Sequence, residues 1–338
     1  MGRLIDGEWH TDDELVKRDD DGEFDREATS FRDAVRDDPD ARFQPETGRY
    51  HLYVSYACPW AHRTLLTRAL MGLEEDISIS VVDPHRIDQG WEFDPQKDGC
   101  TTDPIHGADY LREVYVAAEP EYTGRVTVPV LWDRREETIV NNESEEIIKQ
   151  LATAFQSLGD RDVDLYPAAK RDAIDDVIAD IYPSINNGVY RAGFAGSQAA
   201  YDEAVSELFD ALDRYDATLA EQRYLVGERL TLADICMFTT LYRFDEVYHT
   251  HFKCNRSEIT DYDHLWGYLR ELYQLPGVAG TCRMDHVKEH YYRSHEELNP
   301  SGIVPTGPNP DFTAPHDRKA LAGGPPAALR RGNATADD

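Results

Sequence analysis

The hydrophobic pattern sets out two kinds of territory along this chain. From Tyr50, "YHLYVS" alternates apolar and polar positions as a strand does, and "PWAHRTLLTRALMGL" then brings Trp60, Leu65, Leu66, Ala69 and Leu70 to helical spacing. Pro59 suits the first position of that helix, and Gly72 its stop. "ISISVVDP" predicts a second strand closed by Pro84, and a long polar loop, "HRIDQGWEFDPQKDGCTTDPIHG", leads to a short helix near "DYLREVYVAA". "RVTVPVLWD" predicts a third strand carrying Pro129. "ETIVNNESEEIIKQLATAF" predicts a fourth strand running into a helix, with Asn142 as its N-cap. Strand, helix, strand, helix, strand, strand, helix is the order of a thioredoxin-like α/β domain, assigned to residues 49–160.

From about Tyr166 the strand signals stop, and "AAKRDAIDDVIADIYPSINNGVYRAGF", "SQAAYDEAVSELFDALDRYDATLAEQ", "TLADICMFTTLYRFDEVYHTHF" and "HLWGYLRELYQL" read as amphipathic helices. They make an all-helical second domain at 161–312. Thr231 and Asp234 read as a variant capping box opening a mostly apolar, hence buried, helix. Residues 1–48 are polar and acidic, an extension laid over the body with Phe24 and Phe31 as docking points. The Ala/Gly/Pro-rich stretch 313–338 is expected to be disordered.

Charge and cysteine usage narrow the function classes. The chain carries 65 acidic against 35 basic residues, and the excess is spread along its whole length, so it is a property of the entire surface. Such a surface suits a salty cytoplasm, where screening suppresses self-repulsion. It argues against nucleic-acid binding, which needs a basic footprint. The chain has no apolar run of about 18 residues. Its start lacks the apolar core of a signal peptide, so a soluble cytoplasmic protein without membrane partners is expected. Five cysteines with no CxxC pair argue against a disulfide framework or a zinc ribbon, and no metal is expected.

Cys58 in "SYACPWAHRTL" has the most reactive setting. A thiol at the first turn of a helix faces unpaired N–H groups and the positive end of the dipole, which lowers its pKa, and His62 and Arg63 would add positive potential. Position 61 is Ala, so the thiolate has no resolving partner and must be discharged by an outside thiol through a mixed disulfide. The plainer reading is a buried structural cysteine at a strand end. Pro129 fits either a cis turn presenting the Val128 backbone to an extended peptide or an ordinary edge strand. In "NES" the helix N–H groups and the Ser144 hydroxyl suit a carboxylate, and Glu143 suits an ammonium, together the head of an amino acid. An ordinary N-cap fits those residues equally well. The pattern His286-Val287-Lys288-Glu289-His290 and the group His249, His251 and Cys254 could suggest metal sites, but neither has a full ligand set in the sequence. Asn142 would accept a glycan only in a secreted protein.

The blocks "LYVSYACPWAHRTLLTRALMGLE", "GRVTVPVLWD", "TIVNNESEEII", "NNGVYRAGFA", "TLADICMFTTLYRFDEVYHTHFKCN" and "LNPSGIVP" closely resemble the Xi class of glutathione transferases, the glutathionyl-hydroquinone reductases. The resemblance runs from about Gly22 to Pro305. It implies the glutathione transferase fold, a homodimer, and thiol-dependent reduction of glutathionyl-hydroquinones. It further implies Cys58 as nucleophile, with Tyr190 and Tyr291 as hydroxyls facing the hydroquinone. Trp91 would pack on the tripeptide, Arg112 bind its carboxylate end, Val128 pair with the cysteinyl backbone, and Glu143 and Ser144 hold the γ-glutamyl head. The thiol co-substrate would be glutathione or, in a salt-adapted archaeal-type host, γ-glutamylcysteine; both carry the γ-glutamyl group. Two other readings stay open: a glutaredoxin- or Omega-type reductase of mixed disulfides or dehydroascorbate, and a non-catalytic interaction module.

Overall fold

The structure, a computed structural model, describes residues 2–11, 18, 19, 21–24 and 28–330. The first element is one the hydrophobic pattern did not announce. Strands β1 (Arg3–Ile5) and β2 (Glu8–His10) form a hairpin around Asp6 and Gly7, both at positive φ (49° and 78°), a two-residue turn that "DG" favours. A short strand in the body, β5 (Gly124–Arg125), pairs with β1 and ties the acidic extension down. Phe24 packs on Phe194 and Tyr190, and Phe31 on Tyr122 and Tyr115.

The main sheet has the order β4–β3–β6–β7, from β3 (Tyr50–Val54), β4 (Ile77–Val81), β6 (Val130–Asp133) and β7 (Thr138–Asn141). β3 and β4 are parallel, joined through helix α1 (Pro59–Met71), and the other pairs are antiparallel. The alternation of "YHLYVS" does not translate into one wet face, because every residue of β3 is buried. His51 tolerates this position because its two ring nitrogens lie 2.7 and 2.9 Å from the Ser78 and Ser80 hydroxyls of β4. α1 stops at Gly72, whose φ of 69° needs a residue without a side chain. Helices α2 (Leu111–Ala118) and α3 (Ser144–Thr153) complete this half. The N-cap of α3 is Glu143 and not Asn142; the Asn142 side chain is taken up by the Phe31 amide and the Tyr115 hydroxyl.

The helical half contains α4 (Arg171–Ile181), α5 (Gly188–Gly193), α6 (Gln198–Glu221), α7 (Leu232–Arg243), α8 (His249–His251), α9 (Leu265–Tyr273) and α10 (Met284–Ser294). α7 opens on the Thr231–Asp234 capping box and is buried along its whole length; it packs on α1 and so joins the two halves. A π-helical turn, Phe244–Tyr248, carries α7 into α8. Among the described residues no helix is long and apolar enough to cross a membrane.

The expectation of disorder from residue 313 does not hold up to Arg330. Arg318 is buried and donates to the carbonyls of Leu219, Gln222 and Arg223 at the C-terminal end of α6, capping groups that would otherwise be orphaned, and Leu329 is buried as well. Residues 331–338 lie outside the described residues.

Candidate active site

Cys58 is the N-cap of α1, in extended conformation, with Pro59 at the first helical position. Its Sγ lies 3.7 Å from the Val128 carbonyl. The Val128–Pro129 peptide is cis, and Pro129 directly precedes β6, which is flanked on both sides by other strands. This is the cis-turn alternative for Pro129 and not the edge strand.

The backbone before Cys58 is held from the other domain. Arg243, the last residue of α7, is fully buried; its Nε and Nη2 donate to the carbonyls of Ala57 (3.0 Å) and Tyr56 (2.9 Å). Its Nη1 donates to the Thr239 carbonyl and lies 3.1 Å from His62 Nδ1. Nδ1 therefore accepts, which leaves the ring proton on Nε2 to reach the Thr281 hydroxyl at 2.9 Å. Burial, then Arg243, pushes the His62 pKa well below its ordinary value. His62 is thus neutral, contrary to the positive potential expected of it, and Arg243 is the fixed cation behind this turn. Arg63 faces elsewhere, over the Trp60 ring at 4.5 Å and donating to Asn186 Oδ1.

One cavity is lined by Cys58, Trp91, Val128, Glu143, Ser144, Tyr190 and Tyr291. Seven of the eight residues singled out from the sequence therefore meet in one place. The exception is Arg112. Its guanidinium stacks on Tyr110 (4.1 Å) and Trp9 (5.6 Å) and donates to the Gln89 carbonyl, because α2 turns this side chain toward the β1–β2 hairpin. The arginines that do line the cavity are Arg86 and Arg125.

The thiol side of the cavity is built largely from loop and helix-end groups. Ser144 is buried at the start of α3, and Glu143 receives the Glu145 amide and the Thr29 hydroxyl. Trp91 stacks on His290 with ring centres 5.1 Å apart, and its Nε1 is buried without a hydrogen-bond partner. The opposite side is aromatic. The Tyr291 hydroxyl is hydrogen-bonded to that of Tyr190 and lies 3.0 Å from that of Tyr248. Burial, then the neighbouring phenols, raises the Tyr291 pKa well above the ordinary value, so this hydroxyl keeps its proton. Tyr292 faces away and donates to the Glu246 carbonyl. Phe24, Trp60 and Phe194 enclose the remaining wall, and Trp60 sits between Tyr182 and Tyr190.

The other thiols have no comparable setting. Burial pushes Cys236 up to about 11 and Cys100 and Cys282 up to about 12, and raises Cys254 as well. Sequence reasoning missed Arg86, Arg125, Tyr248 and Arg243. No spacing rule marks a lone arginine in a polar loop or ties the end of α7 to a cysteine 185 positions earlier.

Comparison with known proteins decides the family. The family model described as "Glutathione S-transferase, N-terminal domain" matches residues 57–154, and that described as "Glutathione S-transferase, C-terminal domain" matches 198–271. The chain is 50% identical to glutathionyl-hydroquinone reductase YqjG of Escherichia coli (strain K12), over 96% of this chain and 100% of the relative. It is also 50% identical to glutathionyl-hydroquinone reductase PcpF of Sphingobium chlorophenolicum, over 91% and 96%. A solved structure of a Xi class glutathione transferase from Natrialba magadii is 60% identical, superimposes with a TM-score of 0.91, and covers 96% of this chain and 98% of that one.

The chain belongs to the Xi-class glutathione transferases. The thioredoxin-like domain followed by a helical domain is the glutathione transferase fold. The glutathione-bound structure of YqjG superimposes on this Xi-class chain with a TM-score of 0.86 at 48% identity, covering 94% of this chain and 99% of that one.

Proposed function

We propose that this protein is a glutathionyl-hydroquinone reductase that removes glutathione, or a related γ-glutamyl thiol, from S-conjugated hydroquinones. The observation that carries the reading is a single thiol at a helix N-terminus facing a chain of hydrogen-bonded tyrosine hydroxyls across one cavity.

The Cys58 thiolate attacks the sulfur of the conjugate. The aryl carbon–sulfur bond breaks, its electron pair stays with the aryl carbon, and that carbon takes a proton by way of Tyr190 and Tyr291, releasing free hydroquinone. Cys58 is left in a mixed disulfide with the thiol peptide. A second thiol, as thiolate, attacks that disulfide, giving the disulfide product and regenerating Cys58. With Ala61 in place of a second cysteine, the intermediate waits for this outside thiol.

In the same reading Val128 pairs with the cysteinyl backbone, while Glu143 and Ser144 hold the γ-glutamyl head at the start of α3, where free N–H groups favour an anion. Trp91 packs on the peptide. Arg125 takes over the carboxylate end first expected of Arg112. We further propose that the protein works in the cytoplasm as a homodimer and that its acidic surface is adapted to high salt. A melting temperature that climbs with added potassium chloride checks the last point.

The decisive test compares rates on a glutathionyl-hydroquinone thioether and on a small glutathione mixed disulfide. The proposed activity requires turnover of the thioether. Turnover of the disulfide alone would place the protein with thiol-disulfide reductases.

A further inference from the structure

Arg86 is a cation in the active-site cavity whose guanidinium has no hydrogen-bond or ion-pair partner among the described residues. Its Nε is buried without a hydrogen-bond partner, and none of its guanidinium nitrogens bonds to another described residue. The buried arginines have partners for their terminal nitrogens: Arg49 is paired with Asp133 and Arg223 with Glu271, Arg243 and Arg318 donate to carbonyls, and Arg63 donates to Asn186 Oδ1 and reaches the Ser144 hydroxyl. Among the described residues no carboxylate hydrogen-bonds to or forms an ion pair with Arg86, although Glu143 lines the same cavity.

The position is rigidly built. The Arg86 amide donates to the Ser294 hydroxyl, His290 Nδ1 lies 2.7 Å from the Pro84 carbonyl, and Trp9 Nε1 donates to the Asp88 carbonyl. The guanidinium carbon lies 5.2 Å from the centre of the Trp91 ring, whose own Nε1 is a second buried donor without a partner. Burial, then Arg125, pushes the Arg86 pKa down to about 9, and the charge of Cys58 partly offsets this, so the cation lies within the field of the reactive sulfur and stays charged at neutral pH. An unpaired charge in such a place is costly until an anion arrives, and a carboxylate matches the guanidinium fork in two parallel bonds.

We infer that Arg86 is a specificity residue that receives a carboxylate of the bound conjugate close to the exchanging sulfur, with Trp91 Nε1 as a further donor. The inference deepens the proposed function and rests on it for the identity of the ligand. The carboxylate comes either from the thiol peptide or from an acidic substituent on the aromatic ring.

Calorimetric binding distinguishes the two sources without relying on turnover. One arm compares S-methylglutathione with its glycine ethyl ester. The other compares glutathione conjugates of plain hydroquinone and of a carboxylated hydroquinone, both in the Cys58→Ser background. In at least one arm the free acid should bind about tenfold more tightly, as expected for a charge-assisted bidentate pair. Arg86→Met should shrink that ratio toward one. Arg86→Lys should keep part of it, and Arg112→Met, outside the cavity, should keep it whole. Arg86→Gln replaces the Met variant if the latter fails to show a cooperative melt. The inference is overturned if neither arm shows a preference for the acid, or if the preference survives loss of the guanidinium. A protein that binds thioether conjugates with this preference but never cleaves them would sink the proposed reaction and leave the role of Arg86 standing.

Discussion

The two walls of the cavity are made of different materials. The thioredoxin-like wall presents a helix N-terminus, the Val128 carbonyl and the start of α3, with Trp60, Trp91, Arg86 and Arg125 beside them. The helical wall presents phenol rings from α5, α10 and the turn after α7, with hydroxyls linked edge to edge. In the proposed reaction, main-chain groups recognise the peptide of the thiol, and rings with hydroxyls recognise the hydroquinone and its protons. The difference teaches that one wall should govern which thiol binds and the other should govern bond cleavage.

The largest expected effect tests whether the reactive sulfur is where this division puts it. Cys58→Ser should lower thioether cleavage by about 10⁴-fold or more, the scale of losing a nucleophile, while Cys254→Ser stays within about twofold. Equal losses from both would end the assignment. Next, Tyr291→Phe should cost about 100-fold in kcat with a small change in KM, the scale of losing a positioned proton donor. Tyr292→Phe, whose hydroxyl serves a backbone carbonyl, should stay within about twofold of the parent. A smaller effect of the opposite kind is expected on the first wall: Ser144→Ala should raise KM for the thiol by about fivefold to tenfold, with kcat nearly constant, as for one lost hydrogen bond. A fall in kcat alone from Ser144→Ala would erase the contrast between the walls.

The mildest effect concerns pH. Burial pushes the pKa of His51 on the first side and of His290 on the second down to about 3, and of His251 down to about 4. Their folded values lie below the unfolded value of about 6.5, so the folded state binds fewer protons. Their stabilising contribution is full above pH 6.5 and is lost as pH falls from there toward 3. Thermal melts between pH 7 and 5 should show a steadily falling midpoint, and a midpoint that rises with acid would contradict the neutral state of these rings. Because His290 stacks on Trp91 and His251 sits beside His295, the tyrosine side should loosen before the thiol side does.

Legibility in the sequence followed the same division. Cys58, Glu143 and Ser144 stand at boundaries that Pro59 and the "NES" capping pattern mark locally, so chain-neighbour chemistry was enough to single them out. Val128 was readable because Pro129 admits few backbone settings. Tyr190 and Tyr291 came only through resemblance, since aromatic residues at helical spacing look the same in a core and in a pocket. Arg112 was misplaced because its neighbour across space is Trp9, on a hairpin that the polar extension concealed. Arg86 and Arg125 have no periodicity at all; what distinguishes Arg86 is the lack of a hydrogen-bond partner among the described residues, and a sequence does not record missing partners.

The grip of Arg243 on the Ala57 and Tyr56 carbonyls has a consequence for how this enzyme can be divided. A fragment ending near residue 160 would keep Cys58, Pro59 and the cis turn, yet it would lose the guanidinium that fixes the turn from behind. Its thiol would be present but aimed by nothing. The proposed nucleophile therefore belongs to one domain by covalent connection and to the other by orientation, and selection on either half must respect both.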